Sequence, residues 1–240
     1  GVHALALTDH DDVAGIAAAQ AAAETAGLVL IPGVEISVTW CGQTIHIVGL
    51  RIDPTHPALA AGLAGIRRGR IERARRMGDD LARSGILGAY EGAFGYAVNK
   101  EMVGRTHFAR WLVAEGHASD MRSAFKRFLT RGNPGYVEHQ WTTLENAVSW
   151  IRASGGMAVI AHPGRYAFNA RQLHLLLDAF RALGGEGIEV ITGSHHPSEY
   201  GKFADLARAF GLKASRGADF HAPGEGIDLG RLPALPHYCQ

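Results

Sequence analysis

The apolar and polar positions of the chain fall into three stretches. In the first, Ala4–Leu7 reads as a short buried strand, and the Ala-rich run from Asp12 to Ala26 as a helix. Asp12 is placed to cap that helix, and Gly27 stands where a left-handed residue closes one. Leu28–Ile31 predicts a second strand, resuming as Gly33–Ser37 after the Pro32-Gly33 interruption. The alternation over Gln43–Leu50 predicts an antiparallel or adjacent neighbour. Between about Pro57 and Thr130 the pattern turns helical, over Leu59–Leu87 and Arg105–Leu129, with no convincing strand between them. After the breaker cluster Gly132-Asn133-Pro134-Gly135 the strand–helix rhythm returns. Thr142-x-x-Glu145 reads as a capping box for a helix through Ala153, which Gly155-Gly156 ends. Met157–Ala161 (strand), Gln172–Leu183 (helix), Gly187–Ile191 (strand) and Ser198–Phe210 (helix) follow, and Lys213-Ala214-Ser215 leads towards a last strand near Asp219. Such repetition predicts an α/β fold, a parallel sheet or a barrel. Residues 1–66 and 134–240 would form the barrel, and 67–133 a helical subdomain inserted in it.

Composition narrows the function classes. Hydrophobic residues make up 47% and charged residues 20%, a globular balance. No apolar run reaches membrane-spanning length and no secretory pattern opens the chain, which favours the cytoplasm. Cys41 and Cys239 have no metal-type spacing and read as reduced thiols. A net charge of +1 argues against a molecule-wide surface for long duplex nucleic acid, so anion binding must be local. The chain opens on Gly1 and enters an apolar strand almost at once, which predicts that its N-terminal segment is incomplete.

The 13 histidines are the unusual count, because imidazole is the commonest metal ligand. Strand ends carry ligand-type residues: Asp9, His10 and Asp11 after Leu7, then Glu35, His46, His162, and finally Asp219 and His221. In barrels of parallel strands the C-terminal strand ends converge on the active face. Asp219 and His221, two apart, would point the same way on an extended strand. His, Asp and Glu suit Zn, Mn or Fe, and a carboxylate such as Glu35 can bridge two cations, as in hydrolytic sites with metals about 3.5–4 Å apart. Each residue alone has a bland reading, since a lone strand histidine is more often structural and Asp9 and Asp11 suit turns. The joint pattern carries the signal.

Thr8-Asp9-His10-Asp11, Pro32-Gly33-Val34-Glu35, Ile45-His46-Ile47-Val48-Gly49, Ala161-His162-Pro163 and Gly217-Ala218-Asp219-Phe220-His221 resemble, in order and spacing, the polymerase-and-histidinol-phosphatase (PHP) superfamily. The resemblance is nearest to its branch of 3′,5′-nucleoside bisphosphate phosphatases and 5′-3′ exoribonucleases. It implies a distorted (β/α)7 barrel with two or three divalent ions, often manganese, with Zn, Fe or Mg as alternatives. The implied ligands are His10, Glu35, His46, His162, Asp219 and His221, with Glu35 as the bridge and His10, Glu35 and Asp219 nearest the chemistry. The family's opening His-x-His strand is absent before Gly1, and Ala218 stands where Ser is common. One site should therefore be intact, from Glu35, His46 and His162, one partial, from His10 and His221, and the third incomplete.

The implied reaction is hydrolysis of a nucleotide or short-oligonucleotide phosphate ester by a metal-activated hydroxide. Candidate substrate contacts are Arg105, His107, Arg131, Arg165 and His195, because arginine binds phosphate in a bidentate way and the remaining two are histidines flanking a predicted helix start or strand end. The arginines of 67–76 read as a solvated helix surface, with Glu72 for local pairing. Two alternatives stand beside this reading: a small-molecule phosphatase resembling histidinol-phosphate phosphatase, and a non-catalytic PHP-like module.

Overall fold

The computed structural model describes residues 2–221 and 227–237, so the expectations that rest on Gly1 and Cys239 lie outside the described residues. The chain forms two compact units. One runs to Leu63 and resumes at Trp141, and the other is Ala64–Gln140.

The first unit is built on a sheet with six strands among the described residues, in the order β1 (Ala4–Leu7), β2 (Val29–Trp40), β3 (Gln43–Leu50), β4 (Met157–Ile160), β5 (Gly187–Thr192), β6 (Lys213–Gly217). The sheet is mixed, not all-parallel. β1–β2, β4–β5 and β5–β6 run parallel, while β2–β3 and β3–β4 run antiparallel. The first reversal has a local cause. Cys41 and Gly42 hold φ of 47° and 73°, and two positive φ values in a two-residue loop give the turn whose twist matches a hairpin. Cys41 is an exposed free thiol on that turn.

β2 does not stop at Pro32-Gly33. It changes partner there: Val29–Pro32 pairs with β1, and Gly33–Trp40 pairs with β3. A Cβ on Gly33 would lie 2.7 Å from Thr8 Cγ2, 2.8 Å from the Gly49 carbonyl and 2.9 Å from the Leu7 carbonyl, so only glycine lets three strands meet. The rest of β2 is rich in β-branched residues and buried on both faces. Val34, Ile36 and Val38 alternate with the buried polar pair Glu35 and Ser37.

Helices supply the apolar cover. α1 (Ile16–Ala26) ends on left-handed Gly27, φ 67°, as expected, but begins four residues later than expected. Asp12 Oδ1 instead accepts from the amides of Val13 and Ala14 in a preceding turn, because Asp11, φ 49°, redirects the chain. α6 (Leu144–Ala153) lies on β2, β3 and β4 and buries Leu144, Ala147, Val148 and Ile151. Its cap is Thr143, whose hydroxyl accepts from Asn146 N, and not Thr142, which forms a bridge with Val38. α7 (Ala170–Ala182) buries Leu173, Leu176, Leu177 and Phe180. α8 (Tyr200–Ala209), packed on β5 and β6, buries Phe203, Ala204 and Ala207. Each large side chain so buried contributes about 1.5–3 kcal/mol.

No strand occurs between Leu50 and Met157 among the described residues. Helix α2 (Pro57–Arg83) stops short of left-handed Gly85. α3 (Ala89–Tyr96), α4 (Arg105–Ala114) and α5 (Met121–Ala124) follow. The helix expected over Arg105–Leu129 is broken after Ala114 by left-handed Gly116 and restarts at Asp120, whose carboxylate accepts from Ser123 N. Met77, Leu81, Phe108, Leu112 and Leu129 are fully buried in this unit's own core. No helix among the described residues is long and apolar enough to cross a membrane.

Candidate metal centre

The site starts from a parallel bridge between His10, just beyond β1, and Glu35 of β2. Asp11 N donates to the Glu35 carbonyl at 2.9 Å, and Glu35 N donates to the Asp9 carbonyl at 3.0 Å. Asp11 is fully buried and locks this register: its carboxylate accepts from Ser37 N at 2.7 Å and Ser37 Oγ at 2.8 Å. The His10 ring lies edge-on to that of His46 on β3, with centroids 4.8 Å apart.

Glu35 is the hub. Its Oε1 lies 2.7 Å from His46 Nδ1 and 2.9 Å from His162 Nε2, and its Oε2 lies 3.8 Å from His10 Nδ1. Burial alone would raise this carboxyl, but hydrogen bonds from His162 and His46 and the charge of His10 outweigh it and hold the group well below the usual carboxylate range. Ligand atoms of His10, Glu35 and His46 all lie within 4.8 Å of one another. This donor set fits a divalent cation. His46 Nδ1 and His162 Nε2 are 3.2 Å apart and face the same carboxylate oxygen. A neutral imidazole has one N–H and one lone-pair nitrogen, so two ring nitrogens turned on each other and on one anion are the arrangement that a shared cation stabilises.

The end of β4 is held by side chains that sequence reading did not single out. His162 has φ 27° and ψ 59°, left-handed backbone that needs external support. Its amide donates to Glu189 Oε2 at 2.7 Å. Burial pushes the Glu189 carboxyl up to about 8, with the charges of Glu35 and Asp219 acting in the same direction against the His162 amide. Where β3 and β4 part, Ala161 N donates to the His46 carbonyl at 3.1 Å. In place of a reciprocal bond, His46 N donates to the Tyr166 hydroxyl at 2.9 Å, and that hydroxyl donates to the Ala161 carbonyl at 2.7 Å. Burial raises the phenol's pKa far above its ordinary value, so Tyr166 remains a neutral donor.

Asp219 and His221 lie at the edge of the cluster. The His221 ring is 5.8 Å from that of His10 and more than half exposed. Asp219 does not sit on an extended strand. It follows β6 with φ 53°, and its carbonyl, 2.9 Å away, accepts from His221 Nδ1. The two side chains therefore do not line up as alternate residues of a strand would. Asp219 Oδ2 accepts from Arg165 Nη1 at 2.9 Å.

The remaining candidates divide by what their polar atoms already do. Both His195 nitrogens serve the backbone: Nε2 accepts from Gly164 N at 2.9 Å, and Nδ1 faces the Val190 carbonyl at 3.0 Å. Its ring is buried and stacked on Phe203, which leaves no nitrogen for a substrate. His107 Nδ1 accepts from Gly104 N at 3.1 Å at the start of α4, and burial lowers its pKa. Arg131 pairs with Glu138 on the surface. Arg105 is exposed at the first position of α4. The expectation that 67–76 is a merely solvated face needs amending within the second unit. Arg73 is half-buried, its Nε donates to the Val137 carbonyl at 3.1 Å, and burial with the charges of Arg105, Arg70 and Arg76 lowers it to about 10.

Comparison with known proteins follows the same lines. No family model matches the chain. It is 55% identical over 237 residues to the 3′,5′-nucleoside bisphosphate phosphatase of Chromobacterium violaceum, across 98% of this chain and 83% of that protein. It is 46% identical over 237 residues to the 5′-3′ exoribonuclease Rnm of Escherichia coli K12, across 98% and 80%. Among solved structures, an amidohydrolase from Chromobacterium violaceum with bound sulfate and no metal matches with a TM-score of 0.91 at 54% identity, over 99% of this chain and 83% of that one. A Bifidobacterium adolescentis protein described as a candidate metal-dependent phosphoesterase matches with a TM-score of 0.82 at 26% identity, over 96% and 82%.

Proposed function

This chain belongs to the PHP superfamily, with the nucleoside bisphosphate phosphatase and 5′-3′ exoribonucleases to which it is similar, and from that premise we propose that its Glu35-centred cluster binds divalent cations for the hydrolysis of nucleotide phosphate esters. The substrate class is 3′,5′-bisphosphonucleotides or short oligonucleotides. The observation that carries the reading is Glu35 itself, a buried carboxylate ringed by nitrogens of His10, His46 and His162.

On this reading Glu35, His46 and His162 would hold one ion, and Glu35 with His10, His221 and Asp219 would help hold a second. Two or three ions, manganese foremost, would polarise phosphate oxygens and acidify water near neutral pH. The protein's own residues set the donors' positions and balance charge. Arg165, which now donates to Asp219 Oδ2 at 2.9 Å, is placed to share the charge of an arriving phosphate. Arg105, close enough to Arg73 to perturb it, belongs to a crowd of like charges within the second unit that suits a polyanion. His107 and His195 we assign to holding backbone, and Arg131 to a surface pair. The order of β1–β6, with the helical unit inserted in sequence between the paired β3 and β4, supports a distorted (β/α)7 barrel with an insertion. A nucleotide substrate also supports a cytoplasmic location.

The test is phosphate release from a 3′,5′-bisphosphonucleotide, a 5′-phosphorylated RNA trimer and histidinol phosphate, with and without manganese and chelator. The expected result is manganese-dependent turnover of the first two and little of the third. Release indifferent to chelator, or a preference for histidinol phosphate, would overturn the assignment.

A further inference from the structure

Glu189 is an acid set in an apolar strand, between Ile188 and Val190. Three features aim it at His162. The β5–β6 register shifts between Glu189 and Ile191, so the strand bulges beside it. Gly217, the last residue of β6, leaves room for it: a Cβ there would lie 2.4 Å from Glu189 Oε1. The other oxygen, Oε2, accepts from the His162 amide at 2.7 Å, at the short end of ordinary N–H···O distances.

His162 needs such an anchor. Its left-handed backbone places the amide towards β5 while its ring turns to Glu35 Oε1, 2.9 Å away. His162 Nδ1 is buried without a hydrogen-bond partner, so no bond from the ring's far side fixes its orientation. Orientation of this imidazole is therefore set through the backbone, where metal-binding histidines are more commonly oriented by a bond to their second nitrogen.

We propose that Glu189 is a positioning residue for the metal centre: by holding the His162 amide it fixes the imidazole against Glu35. The inference rests on the metal-binding reading above and deepens it. Glu189→Gln keeps an oxygen acceptor of the same reach, whereas Glu189→Ala removes it. Two measurements test the pair. In metal-free protein, the His162 amide proton should resonate far downfield in the wild type, remain low-field in E189Q and move upfield in E189A. In manganese titrations of the full chain, E189A should bind about 10–100-fold more weakly, the usual cost of losing an outer-sphere support, while E189Q recovers most of the affinity. Turnover should fall in E189A with a much smaller change in KM. An E189A protein that binds manganese like the wild type, or an unchanged His162 resonance, overturns the role of Glu189. A wild type that binds no manganese overturns the metal reading itself, which is a distinguishable failure.

Discussion

A buried carboxylate facing three imidazoles is stable only because the ring nitrogens offset its desolvation, so its charge should be what the site cannot lose. Glu35→Gln keeps the shape and removes the charge. We expect manganese affinity and kcat/KM to fall by about 100-fold or more, and the metal-free protein to unfold at a lower midpoint, because a carboxyl held below its usual range is one whose charge stabilises the fold; metal titration, steady-state kinetics and thermal unfolding check this. Asp11 carries a different burden. Asp11→Ala leaves the amide and hydroxyl of Ser37 buried without their acceptor, an expected cost of about 1–3 kcal/mol in urea unfolding. His10, Glu35, His46 and His162 were legible in the sequence because each is a ligand-type residue within or just beyond a predicted strand; Glu35 and His46 lie inside β2 and β3 rather than at their ends. What they need from their surroundings was not. Asp11 reads as a turn residue until its contact with Ser37, 26 positions on, is seen, and Tyr166 gives no local sign that its hydroxyl stands in a strand ladder. Glu189 did give a sign, a lone acid inside the otherwise apolar or neutral strand Gly187–Thr192, where a carboxyl needs a partner.

At the scale of elements, periodicity placed the strands because burial on both faces and β-branching act residue by residue, as in β4 and β5. It failed where a boundary depends on distant chain. Whether Thr142 or Thr143 caps α6 depends on Val38 capturing Thr142, and Pro32-Gly33 read as an interruption within one strand because a change of pairing partner leaves no trace in local pattern. The alternation of Gln43–Leu50 offered an antiparallel neighbour and β2–β3 is one, but the antiparallel β3–β4 pairing was hidden for the same reason. That junction can be tested. Gly33→Ala forces a methyl group against Thr8, Gly49 and Leu7, two of the three contacts being rigid carbonyls. Overpacking of this kind costs about 1–3 kcal/mol. β1 leads into His10 and β2 carries Glu35, so thermal unfolding should come earlier and manganese binding should weaken together, although no ligand is altered.

For the whole molecule, a net charge of +1 conceals a strong local imbalance, and the second unit carries it. His139 is half-buried there, and burial together with Arg73, Arg70 and Arg76 lowers it from 6.5 to about 4, against a weaker opposing pull from Glu72. The sign of the consequence follows from proton counting. Between about pH 6.5 and 4 the unfolded chain binds a proton at this ring and the folded chain does not, so the stability tied to neutral His139 is complete above 6.5 and is lost as the pH falls towards 4. Because the ring is only partly shielded, solvent screening should reduce the effect to about 1 kcal/mol across that window. His139→Gln cannot take up the proton and should flatten the fall of urea-unfolding stability between pH 6.5 and 4 by that amount. Raising the salt should shrink the difference between wild type and variant, since the arginine field that adds to burial is screened over a Debye length of about 10 Å at 0.1 M. A wild-type slope that matches the variant's in this window would mean that neither burial nor the arginines depress the ring's proton affinity. The crowding of positive charge that we take to await a polyanion would then lack its clearest internal reporter.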